Sequence, residues 1–380
     1  MIHHLGRTVA ALASVSILAA ACGGGAAIPA SGAPSVAGTA CGLPVTGKCP
    51  AEASSLTGAG GTFPAPIYSK WISDYNKLTG IQINYQPIGS GGGIKAFTDK
   101  TVDFGASDVP LTDKQLTAVT GGLYLVPTVL GAVVPTYNIP GVTAQLKFTP
   151  DALVGIFFEK IKKWNDPAIA AENPGVTLPD LAITTVHRSD GSGTNGVFTD
   201  YLSKISPEWK TKIGSATSVN WPGGLGGNGN AGVAGVVKNT PGAVGYVELI
   251  YALQNKISYG LVKNAAGTYV DATLDSTSKA ADGVTMPDLG NLTGLQDKIS
   301  ITNSTNPAAW PISTFTYLLV PKDIADKGKA LAMLRFFWWA THEGQASAKE
   351  LGYAPIPSTV VTVAEKVLKS VTSNGTPVLR

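Results

Sequence analysis

Strand-like runs alternate with amphipathic helical patterns from Leu56 to the C-terminus, and that alternation leaves few folds open. "PAPIYSKWISDYNKL" sets Tyr68, Trp71, Ile72 and Tyr75 on one helical stripe, and "IQINYQPI" follows it as a strand. "TPDALVGIFFEKIKKWND" opens with Thr149 as N-cap and Pro150 at the first helical position. Its Leu153, Ile156, Phe157, Ile161 and Trp164 form one face. Near the C-terminus, "KALAMLRFFWWATHEGQASAKELG", closed by Gly352, and "STVVTVAEKVLKSV" read as further helices. Strands alternating with helices predict an α/β class with largely parallel sheets. The residues after 54 exceed one comfortable core, so two α/β lobes are expected.

The N-terminus reads as an export signal. "MIHHLGRTVAALASVSILAAAC" has one firm positive charge at Arg7, an apolar run from Val9 to Ala20, and a cysteine at Cys22. The run is too short to span a membrane and has the length of a secretory core. Ala19, Ala20 and Ala21 before Cys22 resemble a bacterial lipobox, which predicts a signal peptide over 1–21 and lipid on Cys22. Ala19 stands where Leu is usual, with Leu18 one place early, and a non-lipidated signal peptide is the alternative. Gly, Ala, Pro and Ser dominate from Gly23 to about Ser54, so 22–54 reads as a lipidated cysteine and a flexible linker.

Of the three cysteines, Cys41 and Cys49 remain as a pair across "GLPVTGK", and a small loop disulfide is expected in an oxidising compartment. No zinc site or other metal centre is expected, because two of the four His lie in the signal. Charged residues make up 14%, and the net charge of +3 is spread without a Lys/Arg run, which gives nucleic-acid binding little support.

Three segments share one local chemistry: "LTGAGGTFPAPIY", "QPIGSGGGIKAF" and "HRSDGSGTNGVFTDYL". In each, a strand ends, a Gly/Ser/Thr-rich turn follows and a helix begins. The first helical turn exposes unpaired N–H groups at the positive end of the macrodipole, glycines allow close backbone approach, and hydroxyls add donors. A single such cluster is usually just a turn; three together point to a small oxyanion. The candidate donors are Thr62 and the Phe63 N–H, then Ser90, then Ser192, Gly193 and Thr194 with Arg188. A fourth segment, "TVDFGASDVPLT", ends a short strand in Ser107 and Asp108. A carboxylate beside an anion is sensible only if the anion carries a proton to donate.

These motifs, with "IKKWNDPAIA", "GGNGNAGVAGVVKNTPGAVGYVE" and "AWPIST", occur in order across residues 57–314. Together they closely resemble the phosphate-binding proteins of bacterial high-affinity phosphate ABC transporters. The resemblance implies a type II periplasmic binding fold, two α/β lobes joined by two crossing strands, with phosphate closed in the cleft. It implies phosphate contacts from Thr62, Phe63, Ser90, Asp108, Arg188, Ser192, Gly193 and Thr194, with Asp190 holding the guanidinium of Arg188. Gly61 stands where Ala is common in the family and removes no donor. The implied lobes are 55–130 with 312–380, and 131–311, the chain crossing near Thr128–Gly131 and returning near Pro311–Thr314. The implied partners are inorganic phosphate, permease subunits with their ATPase, and the membrane through the lipid anchor; no cofactor is implied.

Rival readings are weaker. "GLGGNG" satisfies a dinucleotide pattern formally, but it follows no clear strand and lacks the later acidic residue, so it reads as a loop. His187 near Ser192 invites a catalytic pairing, yet a structural His is the commoner case, and no G-x-S-x-G elbow occurs. A phosphomonoesterase would need a metal cluster or an activated Ser. A receptor for sulfate or molybdate conflicts with Asp108. An adhesive surface lipoprotein would not need three converging anion loops.

Overall fold

A computed structural model of the chain describes residues 41–379 apart from positions 288 and 290. The expected signal peptide, Cys22 and the linker up to 40 lie outside the described residues. The elements that position the site are, in chain order, β1 (Ser55–Gly60), α1 (Ala65–Thr79), β2 (Gln82–Gln86), α2 (Gly89–Thr98), β3 (Phe104–Ser107), β4 (Leu123–Tyr137), α3 (Pro150–Phe157), β5 (Thr184–Arg188), α4 (Gly193–Ile205), β6 (Leu225–Gly227), α5 (Gly229–Asn239), β7 (Ala243–Glu248), β8 (Ser313–Pro321), α6 (Lys327–Thr341), α7 (Gln345–Glu350) and α8 (Ser358–Ser370). The main sheet runs β2-β1-β3-β8-β4-β7-β5-β6, with helices packed on it. Its two ends are parallel, β1 with β2 and β3, and β5 with β6 and β7. The middle is antiparallel, because β8 pairs β3 and β4, and β4 pairs β7. The sheet is therefore mixed, where alternation alone predicts a largely parallel one.

β4 belongs to both halves of this sheet. It pairs β8 as far as Ala132 opposite Ser313, then β7 from Val133 opposite Glu248. All of β4 but Tyr124 is buried, as its near-continuous apolar sequence requires of a strand covered on both faces. Pro127 cannot donate to the ladder, and the register slips beside it: Tyr317 faces Pro127 while Thr316 faces Val129. That irregularity matters to the site, since the Thr316 hydroxyl reaches Asp108.

Two helices end earlier than their apolar periodicity predicts. α3 stops at Phe157, and Glu159 takes φ +56°, so Ile161 and Trp164 are not on it. Ile161 instead folds back over Gly155, its N–H bonding the Gly155 carbonyl, and the Trp164 indole donates to Gly242 O at 3.0 Å. Both end up buried or half-buried, so the pattern recorded burial correctly but not helix. The long C-terminal helix is likewise two, α6 and α7, broken at His342–Gly344, where the Trp71 indole of α1 takes the Gly344 carbonyl at 2.7 Å.

The stretch 41–54, which composition assigns to the linker, packs onto the domain. Cys41 and Cys49 are joined by a disulfide with Cα atoms 4.7 Å apart, and Val45 and Cys49 are buried. Glu52 lies against Arg335 of α6, Oε2 to Nη1 2.7 Å, with both side chains at most 1% exposed. The same oxygen accepts the Cys49 N–H at 2.9 Å, and Arg335 Nη2 donates to Gly47 O at 3.1 Å. Composition misses this because the few apolar residues of the stretch, Leu43, Val45 and Ala53, are sparse, and docking adds a buried ion pair and a disulfide to them. Breaking a buried pair strands a charge, so Glu52→Leu is expected to cost about 3–5 kcal/mol. Adding Arg335→Met should recover most of that loss; chemical denaturation reads both, and a single variant as stable as wild type would rule the staple out.

Candidate anion-binding site

Four helix starts meet between the two halves of the sheet: Asn230 of α5 bonds Thr62 ahead of α1, Gly91 of α2 bonds Gly191 ahead of α4, and the Gly229 N–H of α5 bonds Asp190. Each follows a strand after a short turn, with glycine at the helix start for α2, α4 and α5 and Gly60 and Gly61 ahead of α1, and each first turn leaves N–H groups without an intrahelical acceptor. The α1 turn brings Thr62 and Phe63, α2 brings Ser90, and α4 brings Gly193 and Thr194 with Ser192 as N-cap. The Ser192 hydroxyl accepts the Asn195 N–H at 3.0 Å, which anchors the turn. All these hydroxyl residues are buried.

Arg188, at the end of β5, is held by Asp190: Nε donates to Oδ1 at 2.7 Å and Nη2 to Oδ2 at 2.5 Å. Burial alone would raise the pKa of Asp190, but the Arg188 guanidinium and the Gly229 N–H more than offset it and hold it below the usual range. Arg188 Nη1 also donates to Thr194 Oγ1 at 3.4 Å, and the Arg188 N–H donates to the Tyr246 hydroxyl at 3.1 Å.

Asp108 faces Arg188 from the other half and is 2% exposed. Thr316 donates to its Oδ1 at 2.8 Å, and Ser90 Oγ lies 3.3 Å from its Oδ2 while accepting the Asp108 N–H at 3.2 Å. Burial pushes its pKa from 3.8 up to about 6, against the opposing pull of Thr316, Arg188 and Ser90. Glu248, at the end of β7, is also buried; desolvation pushes it well above the carboxylate range, with a further push from Asp108.

The halves touch directly. The Gly91 N–H donates to Gly191 O at 2.8 Å, and the Tyr251 hydroxyl donates to Thr62 O at 2.6 Å. Two glycines make this approach possible. A Cβ at Gly193 would lie 2.4 Å from both Asp108 Oδ2 and Ser90 Oγ. Gly89 has φ +82°, and a Cβ there would meet Asp190 Oδ2 at 2.4 Å.

The structure thus brings Thr62, Ser90, Asp108, Arg188, Asp190, Gly193 and Thr194 close together, with Phe63 and Ser192 next to Thr62 and Gly193 in the chain. His187 is not among them functionally: its ring stacks on Trp221 at 5.3 Å, and its Nδ1 faces Arg188 O. Sequence reasoning missed Asn230, Thr316 and Tyr246. Asn230 opens α5 after β6, so "GLGGNG" is a strand-to-helix junction and not a loop. β6 has no β-branched residue and forms through pairing with β5, Val186 to Leu225 and Arg188 to Gly227. Applying the junction logic a fourth time would have found Asn230. Thr316 and Tyr246 carry no local signal. Among the described residues no group of His, Cys, Asp and Glu could hold a metal ion, and no helix is long and apolar enough to cross a membrane.

Comparison with known proteins places the chain. A profile described as "PBP superfamily domain" matches residues 31–337. The phosphate-binding protein PstS of Xylella fastidiosa is 47% identical over 311 residues, 82% of this chain and 84% of its own length. The phosphate-binding protein PstS of Haemophilus influenzae is 43% identical over 321 residues, 84% of this chain and 94% of its own. Among solved structures, a human phosphate-binding apolipoprotein superposes with TM-score 0.67 at 21% identity, covering 82% of this chain and 93% of that one. A DING protein gives TM-score 0.66 at 22% identity over 82% and 93%. These last two share the fold.

The Asp108 carboxyl binds its proton more tightly in the native state than in the unfolded chain. Its contribution is complete below about pH 3.8 and is lost as the pH rises through about 6. The ligand-free protein should therefore lose on the order of 3 kcal/mol between those limits, at about 1.4 kcal/mol per unit. Asp108→Asn should melt higher than wild type at pH 8 without ligand, and the gap should close by pH 4. A wild type at least as stable as the variant at pH 8 would refute the buried-charge account.

Proposed function

Because the chain belongs to the PBP superfamily and, within it, to the phosphate-binding proteins, we propose that it captures inorganic phosphate between its two sheet halves for delivery to an ABC permease and its ATPase. It is a binding receptor and not an enzyme. The observation that carries the ligand reading is a buried carboxylate, Asp108, set among converging hydrogen-bond donors. Near neutral pH phosphate keeps a proton and sulfate has none. An ionised Asp108 accepts a hydrogen bond from that proton and repels a bare sulfate or molybdate oxygen, so two anions of like shape are separated by one hydrogen bond.

The other contacts are donors. Thr62, Ser90, Ser192 and Thr194 offer hydroxyls or N–H groups, Phe63 and Gly193 offer N–H groups, and Arg188 supplies one charge steadied by Asp190. Residues 55–130 with 312–380 form one lobe and 131–311 the other, hinged where β4 and β8 meet; the change of β4 partner at Ala132/Val133 supports that division. The protein works outside the cytoplasm, held at the membrane by lipid on Cys22; "LAAAC" after the apolar run supports this.

Calorimetric titration tests the ligand. Wild type should prefer phosphate over sulfate by at least about 100-fold, since a hydrogen bond to a charged group contributes about 1.5–3 kcal/mol and repulsion adds to it. Asp108→Asn, whose amide can donate, should lose selectivity more than phosphate affinity. Discrimination should also shrink below pH 6, where Asp108 gains its own proton. Equal binding of both anions by wild type would sink the reading. Anchoring is tested by Cys22→Ala, which should move the protein from the membrane to the soluble fraction; a variant still wholly in membranes would exclude lipid at that position.

A further inference from the structure

Asn230 is fully buried at the start of α5, carries no charge, and has no task in the reading above. Chemistry fixes which way its amide points. The Glu248 N–H can only donate, and it lies 2.9 Å from the side-chain oxygen, so the oxygen faces β7 and the NH₂ faces the site. The NH₂ group then serves hydroxyls on opposite halves, Thr62 Oγ1 at 2.9 Å and Thr194 Oγ1 at 3.1 Å. Thr62 Oγ1 accepts a second bond from the Asn230 backbone N–H at 3.2 Å. Thr194 Oγ1 accepts its second from Arg188 Nη1 at 3.4 Å.

A hydroxyl oxygen has two acceptor positions and one proton. In both threonines the acceptor positions are filled by N–H groups that cannot reverse their role. Each O–H is left free only to donate, away from Asn230. We propose that Asn230 is a positioning residue that fixes the proton direction of the Thr62 and Thr194 hydroxyls, making both obligate donors to the bound anion. The proposal rests on the phosphate reading. Thr62 and Asn230 come from different halves, so the Thr62 proton is set only when the halves meet. Without Asn230 each hydroxyl could turn a lone pair toward the anion, and closure would lose a bond that joins the halves.

A thermodynamic cycle by calorimetry with inorganic phosphate separates this role from simple packing. It uses the wild-type chain, Asn230→Ala, the pair Thr62→Val with Thr194→Val, and all three changes together. Asn230→Ala should weaken phosphate binding about 10- to 100-fold in the wild-type background, the worth of one or two bonds to a charged ligand. With both hydroxyls already removed, the same change should cost less than about threefold. Equal losses in the two backgrounds, or no loss in the first, overturn the proposal. Should the Ala variant fail to fold, Asn230→Asp keeps the shape and the acceptor for the Glu248 N–H while removing the donors, and it is read through the same cycle. A wild type that binds no phosphate would overturn the underlying reading instead.

Discussion

The pairing of β4 with β8 as far as Ala132, and with β7 from Val133, is the constraint from which the rest of the molecule follows. It makes one strand a structural member of both halves. Every functional turn is then placed by its strand's distance from β4. β3 and β1 carry Asp108 and Thr62 on one side, and β7, β5 and β6 carry the partners of Arg188 and Asn230 on the other. The slip beside Pro127 is part of this. It costs the ladder one regular pairing and sets Thr316, whose hydroxyl satisfies one oxygen of a carboxylate that burial would otherwise leave exposed to an unfavourable dielectric.

Charge in the site is deliberately sparse. Arg188 is the one cation among the residues gathered there, and two of its nitrogens are already committed to Asp190. The remaining attraction comes from helix first turns, backbone N–H groups and hydroxyls. Neutral dipoles fixed in place need no reorganisation when an anion arrives, and they leave no large Coulomb well when it departs. For a receptor that must release its cargo, this distribution suits the task better than a cluster of lysines.

Much of this was legible in the chain. The junctions are legible because three Gly/Ser/Thr turns between a strand and a helix recur in one chain, although each alone is usually just a turn, and Asp108 is conspicuous beside them. Other features were not legible, for identifiable physical reasons. Periodicity reports burial and not backbone geometry, so Ile161 and Trp164 continued a helical pattern after α3 had ended. β6 exists only through its pairing with β5 and has no β-prone residue to mark it. Thr316 reaches Asp108 from 208 positions away. Glu52 sits in a stretch whose composition resembles linker, yet its buried pair with Arg335, together with the disulfide and Val45, docks it on the domain. For β6, Thr316 and Glu52 the missing information is a contact with a segment distant in sequence, which no local window contains.

Asp108 shows why such a site sits at a conflict between stability and function. The desolvation that raises its pKa should make the ionised carboxylate costly near neutral pH. That same desolvation strengthens a hydrogen bond accepted from a ligand proton and deepens the repulsion of an unprotonated oxygen. Relieving the strain by exposing the carboxylate would weaken both effects together, because water would satisfy either anion alike. Surrounding Asp108 with cations would stabilise the empty protein but would also neutralise the feature that distinguishes the ligands. Thr316 and Ser90 offer a middle course: their neutral hydrogen bonds support the carboxylate without cancelling its charge. The proposed selectivity and the expected loss of stability with rising pH therefore share one origin, the Asp108 carboxylate kept away from solvent.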